Sequence, residues 1–391
     1  MGVMRILFVA DGRSPTALNW ISYIIDQGHE VHLASTYACR PDINLVSLNI
    51  IPVAFSRAAG IHTGRQSASL VRRFTSAGLR TKLRQWLGPL TIPRAAGSLK
   101  SLITELQPDL IHAMRIPFEG MLAARAAREM NTPLLISVWG NDFTLHAKST
   151  PLMAAYTRRA LQRADGLHTD TKRDQKLAHH WGWAQKKPAI VLPGGGGIQP
   201  DIFFPPSTPS TDPVIINPRG LRAYIRNDTF FAAIPLVLEK VPDAHFLCPA
   251  MQGQPQAKRW LQKYDIAHAV ELLPIQSRTQ MAGLFRRAQI AVSISDHDGT
   301  PNTLLEAMAC GCFPIAGDIE SLTEWITPGQ NGLLVNPGDP RALADAILQA
   351  LAQPDLRNQA VKHNLRLVAQ RAELTTVMVQ AQQMYSKLAH K

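Results

Sequence analysis

The most informative segment of the chain reads SISDHDGTPNTLLEAMACGCFPIAGDIESLTEWI and covers residues 293–326. It begins inside an apolar run, IAVSI (290–294), that predicts a buried strand followed by acidic residues. A Gly-Thr-Pro turn comes next, and Asn302 begins a predicted helix that runs through Cys310, because proline is favoured near the first helical turn. Free backbone N–H groups at such a helix start can bind an anion such as a phosphate.

Two carboxylate residues flank this turn. Asp298 lies on the loop at the mouth of the predicted helix, and Glu306 lies about one turn inside it. Carboxylates accept hydrogen bonds from hydroxyl groups, so the pair suits a polyol ligand such as a sugar or a ribose. A helix-cap carboxylate and an unrelated surface residue are the alternative interpretation of the same spacing.

Short apolar runs alternate with amphipathic segments along the whole chain. Strands are predicted at residues 4–10, 28–35, 109–113, 133–139, 166–169, 189–193, 214–217, 245–248, 270–273, 290–294 and 313–316, and helices at 14–26, 118–130 and 152–163. A stretch rich in Pro, Ser and Thr, residues 205–213, reads as a linker between two such series. Apolar strands that alternate with helices are typical of a parallel sheet covered on both faces. We therefore predict an α/β fold with two doubly wound, Rossmann-like domains that face each other across a cleft.

The net charge of +12 lies entirely in the first half of the chain. Residues 1–200 carry 24 Lys plus Arg against 12 Asp plus Glu, whereas residues 201–391 carry 17 of each. Residues 51–104 contain no acidic residue, and apolar residues are interleaved there with Arg57, Arg65, Arg72, Arg73, Arg80, Lys82, Arg84, Arg94 and Lys100. Such a segment, 57–100, attracts anionic lipid headgroups, at about 1 kcal/mol per basic side chain. A solvated helix without a partner is the alternative, and no RNA-binding or zinc-finger pattern indicates nucleic acid.

The segment 293–326 resembles the acidic-x7-Glu signature of retaining GT-B glycosyltransferases of the large glycosyltransferase family 4 type, also called glycosyl transferases group 1. The first acidic position is usually Glu in that family and is Asp298 here. The resemblance implies that Asp298 contacts the donor sugar and that Glu306 contacts the ribose of the nucleotide. It also implies a donor-binding role for Gly299, Thr300, Pro301, Asn302 and Leu305.

Matches elsewhere extend the resemblance over nearly the whole chain. NPRG (217–220) resembles the family's strand-end arginine that neutralises the diphosphate, which implies Arg219; the usual lysine after it is absent, so Arg222 or Arg226 takes its place. HAMRIPFEG (112–120) resembles the family's His-bearing strand end, which implies His112 as a catalytic residue, with a core histidine as the alternative. The loops DGRSP and SVWGND resemble acceptor- or phosphate-facing turns, with contacts expected from Gly12, Arg13, Asn141 and Asp142.

The resemblance implies an acceptor domain at residues 1–204, a nucleotide-sugar donor domain at 205–373, and a final helix at 374–391 that packs back on the first domain. The implied function is transfer of a hexose from a UDP- or GDP-sugar to a hydroxyl acceptor, lipid-linked or part of a cell-envelope glycan, with retention at the anomeric carbon. No metal or other cofactor is expected, although Asp296-His297-Asp298 matches the Asp-x-Asp metal motif of the other main glycosyltransferase architecture.

Several alternatives stay open at this point. A nucleotide-sugar epimerase or a phosphorylase could use the same scaffold, and so could a sugar-nucleotide-binding protein whose catalytic site has decayed. The absence of G-x-G-x-x-G after the first strand counts against a dehydrogenase. The start of the chain has no signal-peptide pattern and the four cysteines have no metal-ligand spacing, so we expect a cytoplasmic protein, peripheral on the inner face of the membrane.

Overall fold

The structure is a computed structural model that describes residues 2–56 and 77–390, with side chains in the helix Ala77–Leu87 from Lys82 onward. The chain divides into two compact units: Met1–Gly196 together with Met378–Lys391, and Gly197–Val377. Each unit contains one parallel sheet with helices packed on it. The predicted α/β fold with two Rossmann-like sheets is therefore confirmed.

The sheet of the first unit has seven strands in the order β3-β2-β1-β4-β5-β6-β7, all parallel. The strands are β1 (Arg5–Ala10), β2 (Glu30–Ser35), β3 (Ser47–Ile50), β4 (Leu110–Ala113), β5 (Leu134–Val138), β6 (Gly166–Thr169) and β7 (Ala189–Val191). Its helices are α1 (Pro15–Asp26), α2 (Ala77–Leu87), α3 (Ile92–Leu106), α4 (Met121–Ala126), α5 (Pro151–Arg163) and α6 (Lys172–His180). The central strands are buried along their whole length, as continuous apolar runs require.

The sheet of the second unit has six parallel strands in the order β10-β9-β8-β11-β12-β13. They are β8 (Val214–Ile216), β9 (His245–Cys248), β10 (Val270–Leu272), β11 (Ile290–Ser293), β12 (Phe313–Gly317) and β13 (Leu333–Val335). The helices that follow are α7 (Asn227–Leu238), α8 (Pro255–Tyr264), α9 (Arg278–Arg287), α10 (Asn302–Ala309), α11 (Pro340–Ala352), α12 (Pro354–Arg371) and α13 (Leu374–Ala389). Neighbouring strand residues such as Ile215 and Ile216 lie in different apolar clusters, so both faces of this sheet are covered.

Most predicted elements agree with the structure to within a few residues, but three differ in an informative way. The helix predicted at 118–130 is wrong at both ends, because α4 covers only Met121–Ala126. The chain before it forms an irregular turn in which Phe118 has φ +70°, and a helix cannot include that backbone. The strands β3 and β13 were not predicted, because SLNI and LLV are only four and three residues long.

Both sheets contain a switch point, at which the order in which the chain adds strands across the sheet reverses. In the first sheet this point lies between β1 and β4, and in the second it lies between β8 and β11. Loops that leave neighbouring strands at such a point diverge, and ligands of open α/β sheets bind there, beyond the carboxyl ends of the strands. The fold therefore marks one candidate ligand position in each unit.

Among the helices of residues 2–56 and 77–390, none is both long enough and apolar enough to cross a lipid bilayer. Part of the basic segment predicted at 57–100 falls outside the described residues, namely Arg57, Arg65, Arg72, Arg73 and the side chain of Arg80. The remainder forms the end of α2 and the start of α3.

Candidate functional site

An arginine and an aspartate meet at the switch point of the second sheet. Arg219 follows β8, and Asp298 lies on the loop after β11. Arg219 Nη1 lies 2.7 Å from Asp298 Oδ2, and the two side chains are only 6% and 13% exposed. Burial opposes the charge on Arg219, but Asp298 and Tyr224 together outweigh it, and the pKa of the guanidinium is raised. The structure thus joins two of the three residues that the sequence predicted to act on a donor.

The loop that carries Asp298 is held by its own polar groups. Ser295 Oγ and the amide of Gly299 donate to the two oxygens of the Asp298 carboxylate, at 3.2 and 3.1 Å. Ser321 Oγ donates to the Asp298 carbonyl oxygen at 2.8 Å. The amide of Gly299, which was expected to face a donor, is therefore occupied by Asp298.

Helix α10 begins beside this loop, with Pro301 at its N-cap. The amides of Leu304 and Leu305 donate to the Pro301 carbonyl, which leaves those of Asn302 and Thr303 without a backbone acceptor within the described part of the chain. The Leu305 side chain has no exposed surface and lies in the core, so a contact with a donor would involve its backbone, and the donor-binding role of Leu305 stays a prediction.

Glu306 lies on α10, and its side chain forms no hydrogen bond or ion pair with any described residue. Burial raises the pKa of its carboxyl to about 7, and the nearby positive charge of Arg278 on α9 only partly opposes this shift. A carboxylate held in this way has unused acceptor oxygens, which hydroxyl groups of a ligand can occupy. Arg278 escaped the sequence analysis, because nothing in its spacing links α9 to α10.

Two arginines could replace the family's usual lysine, and the structure separates them. Arg226 pairs with Asp228 at 2.9 Å and with Asp296 at 3.5 Å. Arg222 is exposed, and its Nη1 donates to the Tyr224 hydroxyl, at 3.1 Å, with no other hydrogen-bond partner among residues 2–56 and 77–390. Because the charge of Arg226 is already matched by two carboxylates, Arg222 is the residue whose charge is available to a ligand.

In the first unit, Gly12 and Arg13 follow β1. A Cβ atom at position 12 would lie 2.5 Å from Cys39 Sγ, so a larger residue there would require the Cys39 side chain to shift. Arg13 pairs with Asp11 at 2.9 Å, and its guanidinium carbon lies 3.5 Å from the centre of the Tyr37 ring. The hydrogen bond to Asp11 raises the pKa of Arg13.

Asp142 joins the loops that follow β4 and β5. It is fully buried and accepts hydrogen bonds from Arg115 Nε at 2.8 Å, from the Ile116 amide at 3.1 Å and from the Trp139 amide at 3.2 Å. Burial raises the pKa of Asp142, and Arg115 opposes that shift. Asn141 Oδ1 is buried without a partner. Asp142 therefore holds the loop geometry, and Arg115 is a further charged residue that the sequence analysis did not single out.

His112 lies in the core of the first unit rather than on a ligand-facing loop. Its side chain has no exposed surface, and burial holds its pKa well below the ordinary value. Nδ1 lies 2.7 Å from the Tyr385 hydroxyl, and Nε2 lies 2.8 Å from Ser137 Oγ. A catalytic histidine needs one ring nitrogen that can reach a substrate, and here both nitrogens are engaged inside the fold.

The hydrogen bonds around His112 run in one direction. Trp20 Nε1 can only donate, and it lies 2.7 Å from the Tyr385 oxygen, so the Tyr385 hydroxyl donates onward to His112 Nδ1. His112 Nε2 then donates to the serine hydroxyl, which donates to His168 Nδ1 at 2.8 Å. His168 Nε2 closes the series on the Leu192 carbonyl at 2.9 Å. The series ties the C-terminal helix α13 to strands β4, β5 and β6.

Two family profiles together match most of the chain. The profile described as Glycosyl transferases group 1 matches residues 198–366, and the one described as Glycosyl transferase 4-like domain matches residues 11–195. The chain belongs to the GT-B glycosyltransferases of the family 4 type. The first match contains the loops that carry Arg219, Asp298 and Glu306.

Curated members of the glycosyltransferase family share parts of the chain. The GDP-mannose:cellobiosyl-diphosphopolyprenol alpha-mannosyltransferase of Xanthomonas campestris is 35% identical over 95 residues, 23% of this chain and 25% of that protein. The D-inositol 3-phosphate glycosyltransferase of Gordonia bronchialis is 32% identical over 90 residues, 23% of this chain and 20% of that protein. The putative glycosyltransferase EpsD of Bacillus subtilis is 24% identical over 308 residues, which are 71% of this chain and 77% of that protein. The chain thus spans only 25% and 20% of the length of the first two relatives.

Solved glycosyltransferase-like structures match the fold over almost the full chain. Sucrose-phosphate synthase from Thermosynechococcus elongatus has a TM-score of 0.75 at 17% identity and covers 98% of this chain and 99% of its own. Anabaena Alr3699/HepE in complex with UDP has a TM-score of 0.71 at 15% identity, and the match covers 98% of this chain and 100% of that chain. At these identities the likeness establishes the GT-B fold alone.

Within residues 2–56 and 77–390, no group of three or more His, Cys, Asp and Glu side chains is arranged to hold a metal ion. In the Asp-x-Asp pattern of this family member, Asp296 lies 3.5 Å from Arg226 Nη1 and Asp298 pairs with Arg219. Metal independence stays a prediction of the sequence.

Proposed function

We propose that the protein transfers a hexose from a UDP- or GDP-sugar to a hydroxyl acceptor, with retention at the anomeric carbon and without a metal ion. The observation that carries the proposal is the buried Arg219–Asp298 pair at the switch point of the second sheet, beside the start of α10. The guanidinium and the helix-start amides offer N–H donors to phosphate oxygens, whereas the carboxylates of Asp298 and Glu306 accept hydrogen bonds from hydroxyls. A diphosphate that joins a ribose to a sugar fits this set of groups.

In the proposed reaction, the bond between the anomeric carbon and the diphosphate breaks, and its electron pair leaves with the diphosphate. The acceptor oxygen forms the new bond on the same face of the sugar, and its proton passes to an oxygen of the leaving diphosphate. Negative charge therefore grows where Arg219 and the amides of Asn302 and Thr303 lie. Removal of one such fixed donor typically raises a barrier by about 3–4 kcal/mol.

The remaining residues bind and position the substrates. Glu306 holds the ribose hydroxyls, Asp298 orients the transferred sugar, and exposed Arg222 supplies a second positive charge near the diphosphate. Arg13, whose guanidinium is stacked on Tyr37, lies on the acceptor side. His112 acts as a positioning residue, since its ring is enclosed by the core.

The names of two relatives support an acceptor that carries phosphate. One relative is named for a diphosphopolyprenol and the other for D-inositol 3-phosphate. We extend this chemistry to the present chain and propose a lipid-linked hydroxyl acceptor.

An exposed apolar patch at the end of α2 supports a lipid-facing surface. Leu83, Trp86, Leu87 and Leu90 are 47%, 60%, 44% and 64% exposed, and basic Lys82 lies beside them in sequence and is also exposed. Tryptophan and leucine next to basic side chains are typical of helices that lie in a membrane interface. Sedimentation with vesicles of anionic and of neutral lipids tests this surface: the wild type should bind anionic vesicles, and Trp86→Ala should weaken that binding. Equal sedimentation with both vesicle types would contradict it.

The experiment that tests the transfer begins with a panel of UDP- and GDP-sugars. A donor that binds raises the melting temperature by mass action. The donors that bind are then incubated with polyprenol-phosphate and simple glycoside acceptors, and NMR reads the anomeric configuration of donor and product. We expect an axial donor to give an axial product.

Glu306→Gln is the test variant, and Glu320→Gln, which changes an exposed glutamate of the same unit, is its matched control. The first should lose most of the turnover and the second should keep it. An inverted product would overturn retention. Conversion of the donor sugar to its epimer without acceptor would establish an epimerase instead, and binding of donors without any turnover would establish a binding protein.

A further inference from the structure

A small cavity lies at the switch point of the first sheet, beyond the carboxyl ends of its central strands. Its volume is about 240 Å³, and its walls come from the residues after β1, β2, β4 and β5, from α2, and from the irregular turn before α4. This space is comparable to one charged group with a few waters, since a water occupies about 30 Å³. Three side chains define its chemistry, namely Arg84, Trp139 and His146; Arg84 was predicted only as part of the basic segment 57–100, and no role was predicted for Trp139 or His146.

Polar atoms of these three side chains are buried without a partner. Arg84 Nε, Trp139 Nε1 and His146 Nδ1 have no hydrogen-bond acceptor or donor in the described part of the molecule. A buried polar group without a partner destabilises a fold, because it has lost its hydrogen bonds to water. Three such groups on the wall of one cavity indicate that a ligand supplies their missing partner, because chance would scatter them.

The charges around the cavity are balanced except at Arg84. Arg13 is paired with Asp11, and Arg115 is paired with Asp142. Arg84 forms no ion pair within residues 2–56 and 82–390. One wall of the cavity therefore carries a positive charge that the fold itself does not neutralise.

One acidic residue, Glu119, also lines the cavity. Burial raises the pKa of Glu119, and its Oε1 accepts a hydrogen bond from Thr36 Oγ1 at 2.6 Å. The positive charges of Arg84 and Arg115 oppose this shift without removing it. Within the described residues, Glu119 is thus engaged by Thr36 and forms no ion pair with Arg84.

The arginine is held in place before any ligand binds. Its guanidinium carbon lies 4.5 Å from the centre of the Phe118 ring and 5.3 Å from that of the Tyr37 ring. Phe118 has φ +70° and Arg115 has φ +140°, both of which a side chain disfavours. Such strained residues cluster at binding sites and active sites, where the surrounding structure holds them in place.

We propose that this cavity binds an oxyanion of the acceptor, a phosphate or a carboxylate, with Arg84 as the cation and Trp139 Nε1–H and His146 Nδ1 as hydrogen-bond partners. The proposal rests on the proposed glycosyl transfer, whose acceptor it defines as an anionic molecule. The hydroxyl group of this acceptor would receive the sugar, while the charged group of the acceptor is held by the first unit. A phosphate and a carboxylate share the terminal oxygens that these donors recognise.

The test reads the indole N–H of Trp139 by NMR of protein with ¹⁵N-labelled tryptophan, assigned with Trp139→Phe. UDP is kept at saturation so that phosphate cannot bind at Arg219. Inorganic phosphate, glycerol 3-phosphate, glucuronate and neutral glucose are then titrated separately. We expect a saturable shift of the Trp139 resonance with an anion and none with glucose. A response to the two phosphates alone assigns a phosphate group, and a response to glucuronate alone assigns a carboxylate.

Arg84→Gln should weaken the anion response at least 10-fold, which corresponds to the loss of a charge-assisted hydrogen bond. Arg128→Gln, an exposed arginine of the same unit, is the matched control and should bind as the wild type does. No shift with any anion, an equal shift with glucose, or unchanged binding in Arg84→Gln would overturn the proposal. Because the readout needs no turnover, its failure is separate from a failure to transfer sugar.

Discussion

Each of the two sheets has a candidate ligand position at its switch point, but the arginines at these positions differ in whether they have an ion-pair partner. At the switch point of the second sheet, Arg219 lies 2.7 Å from the carboxylate of Asp298. At that of the first, Arg84 has no ion-pair partner in the described chain, and its Nε is buried without an acceptor. A balanced site is stable before its ligand arrives, whereas an unbalanced one is completed by it. Charge compensation, rather than topology, therefore distinguishes the two halves.

The largest effect should follow from unbalancing the second site. Asp298→Asn leaves the Arg219 guanidinium buried without a carboxylate, and removal of one partner of a buried pair destabilises a protein by about 3–5 kcal/mol. We expect a fall of that size in the free energy of unfolding of the second unit. Trp325, whose Nε1 donates to Thr300 Oγ1 on the same loop, reports the transition by fluorescence during guanidinium denaturation.

Asp228→Asn is the matched control for this change. It also removes a carboxylate from an arginine, Arg226, but Asp228 is 56% exposed, and surface pairs contribute only about 0–1 kcal/mol. Similar losses in the two variants would show that burial of the Arg219–Asp298 pair has no energetic consequence, and the contrast between the sites would then fail.

A smaller effect, with a sign that depends on pH, is expected for Glu306→Gln. Burial raises the pKa of Glu306 from 4.5 to about 7. Between pH 4.5 and 7 the folded protein retains a proton that the unfolded chain has released, so stability falls as the pH rises through this window. At about 1.4 kcal/mol per pH unit, the full destabilisation above pH 7 is about 3 kcal/mol. Glu306→Gln lacks this pH-dependent destabilisation. The stability of the variant relative to the wild type should therefore be about 3 kcal/mol higher at pH 8 than at pH 5.

Urea denaturation of both proteins at the two pH values measures this difference. Glu320→Gln again serves as the control, because an exposed glutamate should show no pH-dependent difference. A Glu306→Gln difference that is the same at both pH values would mean that Glu306 is ionised over the whole range. The second site would then hold a compensated carboxylate.

The sequence was sufficient for the fold, because the fold depends on local patterns, and the roles of the donor-side residues stay predictions. Continuous apolar runs predicted the central strands, and the Gly-Thr-Pro turn placed Asp298 and Asn302 at a helix start. Contacts between segments that are distant in the sequence could not be predicted from it. Nothing in the spacing of Arg84 and Trp139 shows that α2 meets the end of β5, and the apparent motif around His112 concealed a core position.

Effects that depend on burial were equally invisible in the sequence. Leu305 lies in the same motif as Asn302 and Glu306, yet helix α10 turns its side chain into the core. The choice between Arg222 and Arg226 needed the positions of Asp228 and Asp296, of which only one is close in sequence. The amino-acid sequence states which chemical groups are present, but the balance of their charges is a property of the packed structure.

The smallest effect is expected where the first site loses its unbalanced charge. Arg84→Met keeps an unbranched chain between the rings of Phe118 and Tyr37, so most of the packing survives. It forfeits cation–π attraction of about 0.5–1 kcal/mol, and it removes a buried unpartnered N–H that destabilises by about 1–3 kcal/mol. The free energy of unfolding should therefore change by less than about 1 kcal/mol or rise slightly, in the same denaturation assay, whereas Arg219→Met, which strands Asp298, should lose about 3–5 kcal/mol. A loss above about 2 kcal/mol in Arg84→Met would mean that the fold itself compensates Arg84, and the two sites would then be alike.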